Sequence, residues 1–322
     1  MRSVFAIFFS GLLFHGLYAQ SSDLDYNKSI EKIDELSATA SVGTMGLSLE
    51  ASLPVNDWVN VRAGVSFMPK ISTSMAFGVQ VGEEEEKKYD ENGNRVETKF
   101  DKMAAYLKDI TGYEVDDRVD MDCKVRFVNA KVLVDFFPLA TNKDWHLTAG
   151  FFWGSKTIGR ACNSIKDMTT TLGVGIYNTM YDKIENFEPI FGNISLPPDV
   201  QDKIYEAGRM GMHVGDFKSD GKAYMMVPDK NGTVRAKAKV NSFKPYIGLG
   251  WNHSMKSAPE WRYGFEAGVI FWGGVPNVTT HDGTSLTHDV KNLDGRVADV
   301  ISFAKSFPVY PLLEFKITRK IF

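Results

Sequence analysis

Asn252-His253-Ser254 holds the one adjacent histidine–serine pair in the chain. A base beside a hydroxyl is the minimum for nucleophilic attack on an ester, provided the two side chains reach each other and a third group orients the base. Neighbouring residues of a strand point to opposite faces, which spoils that geometry. The pair also sits in a Pro- and Lys-containing stretch, 252–260, that reads as a short wet turn. No catalytic residue is assigned, and no enzyme activity is expected. A second cluster is acidic: Glu83-Glu84-Glu85-Glu86 with Asp116, Asp117, Asp120 and Asp122. Carboxylates are ligands for hard divalent cations. The EF-hand spacing is missing, however, and a charge run of this kind reads as a solvated loop. No metal ligand set and no cofactor is assigned.

A third group of charges is dispersed but regular. Glu50, Asp135, Glu266 and Glu314, with Arg62, Lys131, Arg262 and Lys316, each fall on the Gly-rich side of an alternating segment. Four acids against four bases implies pairing in a shared interior, because an unpaired buried charge is costly. A selective pore would more often show one dominant sign.

What must position these charges is a set of strands. From Trp58, the residues Val59, Val61, Ala63, Val65 and Phe67 oppose Asn60, Arg62, Gly64 and Ser66. The same period of two recurs over 43–50, 128–136, 146–153, 246–252, 262–271 and 313–318. These seven segments approach the length of tilted membrane strands, about 9–11 residues. Short turns at 53–57, 138–144 and 252–260 alternate with long insertions at about 72–120, 160–240 and 274–306. Aromatic residues recur near strand ends: Trp58, Trp145, Trp153, Trp251, Trp261, Phe271 and Trp272. Short turns at one end, long loops at the other and aromatic girdles describe an outer-membrane barrel rather than a soluble sandwich. The expected fold is therefore all-β: an antiparallel up-and-down transmembrane β-barrel of about eight strands, with ten as the alternative, and long, partly helical extracellular loops. An even number requires an eighth strand before residue 43. Val61, Val65, Phe151, Val269 and Phe315 are expected to face lipid.

Within the insertions, 96–110, 198–207 and 290–307 read as helices, and 222–240 as a hairpin about Asp229-Lys230-Asn231-Gly232. At the N-terminus, Arg2, the apolar run from Val4 to Leu13 and Leu17-Tyr18-Ala19 follow the order of a secretory signal peptide. The expected organisation is a leader over 1–19, a polar segment over 20–38 and a barrel over 39–322. Beyond the leader no apolar stretch is long enough for a spanning helix, and a net charge of −3 gives no sign of a nucleic-acid partner.

Gly43-Thr44-Met45-Gly46-Leu47, Asn60-Val61-Arg62-Ala63-Gly64-Val65, Leu147-Thr148-Ala149-Gly150, Pro245-Tyr246-Ile247-Gly248-Leu249-Gly250-Trp251 and Tyr310-Pro311-Leu312-Leu313 give the chain its resemblance to a family of small uncharacterised outer-membrane barrels of Gram-negative bacteria. The resemblance implies an integral barrel with a helix before its last strand. It supplies no reaction. The chain departs from the family's aromatic-Arg-Phe ending in having Arg319-Lys320-Ile321-Phe322.

The location expected is the outer membrane. The partners expected are its lipid and lipopolysaccharide, and the barrel-insertion machinery during assembly. The role expected is a structural or interaction scaffold that presents its loops, the alternative being a small-solute or lipophile channel. Equal counting outward from the 138–144 turn sets Cys123 near Cys162, both in step with inward residues, so a disulfide between them is expected.

Overall fold

The computed structural model describes residues 35–84, 86–139, 143–190, 192, 196–293 and 295–322. The leader expected over 1–19, most of the polar segment and Glu85 lie outside the described residues. The strands in chain order are β1 (Ser37–Gly43), β2 (Gly46–Asn56), β3 (Val59–Phe67), β4 (Ile71–Val81), β5 (Arg118–Val125), β6 (Val128–Phe136), β7 (Trp145–Gly154) and β8 (Thr157–Asn163). They continue as β9 (Met210–Phe217), β10 (Ala223–Met226), β11 (Arg235–Lys239), β12 (Phe243–Met255), β13 (Ala258–Ile270), β14 (Asn277–Thr280), β15 (Val290–Lys291) and β16 (Tyr310–Lys320).

Eight of these close a barrel in the order β1-β16-β13-β12-β7-β6-β3-β2, every pair antiparallel. The missing eighth strand is β1. The sequence segment 43–50 is not one strand: Thr44 and Met45 form a tight turn between β1 and β2. Gly46 follows at φ 87°, a left-handed conformation, and a Cβ there would lie 2.3 Å from the Phe67 carbonyl oxygen. Only glycine fits such a position. β1 is hard to see in sequence because its inward residues are Thr39 and Ser41 and it is short. The other tight turns are narrower than expected, at Asp57-Trp58 and Lys256-Ser257.

Alternation divides the wall. In β2, Ser48, Glu50 and Ser52 are buried while Leu47 and Leu49 are exposed. Val65 and Phe315 are exposed on the same outer surface, with Phe265 packed 5.2 Å from Phe315. Phe67, Trp153, Phe243 and Phe271 ring one end of the exterior, and Trp58, Phe136 and Trp145 the other. An apolar outside, a polar inside and two aromatic rims make this a transmembrane barrel of the outer-membrane form. Among the described residues, no helix is long and apolar enough to cross a membrane.

The insertions are not loops. Five adjacent barrel strands, β3, β6, β7, β12 and β13, continue past the membrane end as β4, β5, β8, β11 and β14 in the same neighbour order. β9 and β10 extend this second sheet beyond β4, and β15 pairs with β9. Four helices pack with it: α1 (Lys99–Thr111), α2 (Met168–Glu185), α3 (Pro198–Ala207) and α4 (Gly295–Ser306). Their shared core, including Val79, Leu107, Val119, Met210, Val214 and Val234, is buried, and it makes the insertions one packed lobe. α1 begins at Lys99, not 96, because Thr98 caps it in a reciprocal pair with Asp101. α4 is shorter than the expected 290–307, since Val290–Lys291 is drawn off as a strand and Asn292 turns at φ 49°. The expected 222–240 hairpin does not form: β10 pairs with β9, and β11 with β8 and β14.

The Cys123–Cys162 disulfide is overturned; both thiols are free. In the barrel, Asn129 faces Gly154, but in the lobe Val125 faces Gly159. The path is four residues on one strand (129 to 125) and five on the other (154 to 159). That single extra residue sets Cys123 opposite Ala161 and Cys162 opposite Asp122, so the two thiols point to opposite faces.

Candidate functional site

The barrel interior is built by the alternating face. Arg62 on β3 is its hub. Its guanidinium lies 2.8 Å from Glu50, 2.8 Å from Asp135 and 2.7 Å from Glu266. Lys131 is 2.7 Å from Glu50 and 3.4 Å from Glu314. Lys316 pairs with Glu266. All seven residues are buried. Glu50 is not directly across from Arg62, whose partner in register is Ser52; the two meet diagonally. Arg262 departs from expectation. It has the inward parity but lies near the inner end of β13, where it is exposed and outside the network.

Sequence reasoning missed several members of this interior. Thr148 donates to Asp135 at 2.8 Å, and Tyr246 to Glu266 at 2.7 Å. Lys244 donates to Asn129 at 2.9 Å nearer the outer end. His146 is fully buried, with Nε2 4.0 Å from Asp135. Each shares the inward parity, which is the signal that could have found them. Leu133, Phe152, Tyr246, Ile270, Leu312 and Met45 add an apolar tier packed onto the charges, with Lys131 5.5 Å above the Phe152 ring. An ion-pair layer joined to an apolar layer fills an eight-stranded bore, which has room for little more than its own side chains.

Above it, inside the lobe, lies a cavity of about 240 Å³. Met75, Phe77, Met121, Cys123, Ala161 and Leu286 line it, and Val297 and Ile301 of α4 close one side. α4 also reaches the part of β4 that β9 leaves unpaired, where Arg296 donates to the Ser74 carbonyl at 3.4 Å. Burial pushes the Cys123 thiol up from its ordinary pKa, with Asp122 adding to the shift.

Of the other sequence candidates, His253, Glu86, Asp117 and Asp120 are held in surface pairs. His253 lies on β12, not in a turn, stacked on Trp251 and bonded to Asp144 at 3.0 Å. Glu86 accepts from the Lys99 amide, Asp117 pairs with Lys88 and Arg95, and Asp120 with Arg118 and Lys166. Among the described residues, no three His, Cys, Asp or Glu side chains converge as a metal site.

No protein-family model matches the chain. No curated protein matches it either. Among solved structures, the chain is similar to the crystal structure of Acinetobacter baumannii CarO2, at 14% identity over 89% of this chain and 98% of that one, with a TM-score of 0.37. It is similar to Acinetobacter baumannii CarO at 11% identity over 88% and 96%, TM-score 0.37. A major outer membrane protein from Thermus thermophilus matches at 12% identity over 89% and 98%, TM-score 0.30.

Proposed function

We propose that the protein is a non-conducting outer-membrane barrel that holds a folded lobe outside the membrane as an interaction surface. The observation that carries this reading is the filled bore: Arg62, Lys131 and Lys316 pair with Glu50, Asp135, Glu266 and Glu314 in one buried network. A hydrated ion would have to break those pairs to pass, and breaking a buried pair costs about 3–5 kcal/mol. Purified protein in a planar bilayer is expected to give no discrete current steps at moderate voltage. Reproducible unitary openings from the wild-type chain would sink the sealed reading and favour a solute channel.

The apolar cavity favours a second role for the lobe, the holding of a lipophile. An enclosed dry cavity of about 150 Å³ accepts benzene; this half-open one is lined by Met, Phe and aliphatic side chains suited to an apolar occupant. Cys123 lines the cavity while Cys162 faces the other side of the sheet, so the two thiols report on it independently. Alkylation of unreduced protein should modify both residues, Cys123 slowly at neutral pH and faster as pH rises toward its elevated pKa. A small apolar probe such as an alkylbenzene should slow Cys123 further and leave Cys162 unchanged. Equal probe protection of both, or of neither, would remove the cavity from consideration.

A further inference from the structure

On the outer wall of the lobe, three strands in a row place basic residues directly opposite one another. Lys124 on β5 faces Arg160 on β8, and Arg160 faces Lys237 on β11. Ser72 and Thr279 end the row on either side. Arg126 and Lys239 add two more charges nearer the barrel, and all five side chains are exposed. Like charges directly opposite across a sheet are destabilising. Among the described residues, no carboxylate is within ion-pair distance of any of the five; Asp122, the acid nearest in the ladder, stands one row on, opposite Cys162. The next row shows the contrast, since Arg235 is held by Asp229 at 2.7 Å. A chain with net charge −3 has thus collected an unneutralised basic ladder on one face.

Its height identifies the occupant. Below the ladder on the same strands, the exterior changes to Val128, Trp153 and Phe243, all exposed and at the aromatic rim. Lys124 lies four residues beyond Val128 (128 to 124), and Lys237 six beyond Phe243 (243 to 237). At about 3.3 Å per residue and a strand tilt near 40°, the ladder stands roughly 10–15 Å above that rim. That is outside the hydrocarbon, at the level of a glycolipid's phosphorylated sugars. Guanidinium and ammonium groups are suited to phosphate oxygens, and anionic lipid layers attract basic side chains near their surface. The geometry points to a docking face for the phosphates of lipopolysaccharide, with Lys124, Arg160 and Lys237 as its centre. Phosphate bound there removes the cross-strand repulsion and ties the lobe to the outer leaflet.

The inference rests on the lobe standing outside the membrane, so barrel insertion is read separately. Protein is folded into phosphatidylcholine vesicles, insertion is followed by heat-modifiable migration, and divalent cations are chelated. Purified lipopolysaccharide, its dephosphorylated form and inorganic phosphate are then titrated in turn. Phosphorylated lipid is expected to bind, more weakly as salt rises. The triple variant Lys124→Ala, Arg160→Ala, Lys237→Ala should lose affinity on the order of 100-fold, each base contributing about fivefold near an anionic surface. Arg160→Lys should keep most of the binding and Arg160→Glu lose most of it, and these single changes decide the matter if the triple variant does not insert. Equal binding of dephosphorylated lipid, or an unchanged triple variant, overturns the proposal. Full competition by inorganic phosphate overturns the lipid as occupant and leaves a site for small anions. A wild-type chain that fails to enter vesicles overturns the membrane reading instead, a result distinct from any of these.

Discussion

Arg62→Leu is expected to lower barrel stability by roughly 3–5 kcal/mol, the usual cost of removing one partner from a buried ionic cluster. The leucine fits the bore but strands charge. Glu50, Asp135 and Glu266 each contact the guanidinium within 2.8 Å, and none has a second arginine to turn to. Glu50 retains Lys131, and Glu266 retains Lys316, so the largest uncompensated charge falls on Asp135, left with the hydroxyl of Thr148 and the amide of Asn60. The measurement is a urea titration of vesicle-folded protein, followed by tryptophan emission. Arg62→Lys should recover part of the loss, since it restores the charge but not the three-way fork. A leucine variant with wild-type stability would mean that the carboxylates are not charged partners of Arg62.

Val132→Arg carries the next largest expected effect, about 2–4 kcal/mol of destabilisation for an arginine near the bilayer midplane. Val132 sits midway along β6, paired with Ala63 on one side and Phe151 on the other, and its side chain is exposed. Its neighbour Lys131 is the built-in control. One residue along the same strand, a cation is almost wholly buried and tolerated because Glu50 and Glu314 receive it. The cost of charge on this wall is therefore set by its face and by the partners that face supplies. The same urea titration applies, alongside the fraction of chain that reaches the heat-modifiable form. A Val132→Arg barrel that assembles and unfolds like the wild type would place that surface in water rather than lipid.

Much of this architecture is legible in local pattern. A strand half in lipid and half in a polar bore must alternate; β6 does so residue by residue, and β3, β7, β12, β13 and β16 over part of their length. The bounds of α3 coincide with the expected 198–207, because Pro198 opens that helix at its first turn. α2 escaped notice. Its buried face mixes Thr170, Thr171, Gly173 and Asn178 with Val174, Tyr177 and Met180, which erases the apolar stripe on which periodicity depends. The second sheet escaped for a related reason. β5 and β11 carry Asp, Lys and Arg on their outward face, beyond the lipid, and so read as polar insertion.

The order of residues by itself determined the period of two, seven of the strand segments, and the set of charges sharing an inward parity; the eighth strand followed only from the rule that such barrels are even-numbered. These are properties of a strand and its nearest hairpin partner. Tertiary structure decided who meets whom. Glu266 stands directly opposite Glu314, a repulsive pair in register, offset by Lys316 on the neighbouring strand and by Arg62, which closure of the barrel brings to it from 204 positions away (266 − 62). It also decided the fate of the cysteines: one extra residue where the barrel wall becomes the lobe turned two thiols of common parity to opposite faces. Parity is inherited along an unbroken ladder, and it is lost at each point where the ladder slips, which no local pattern records.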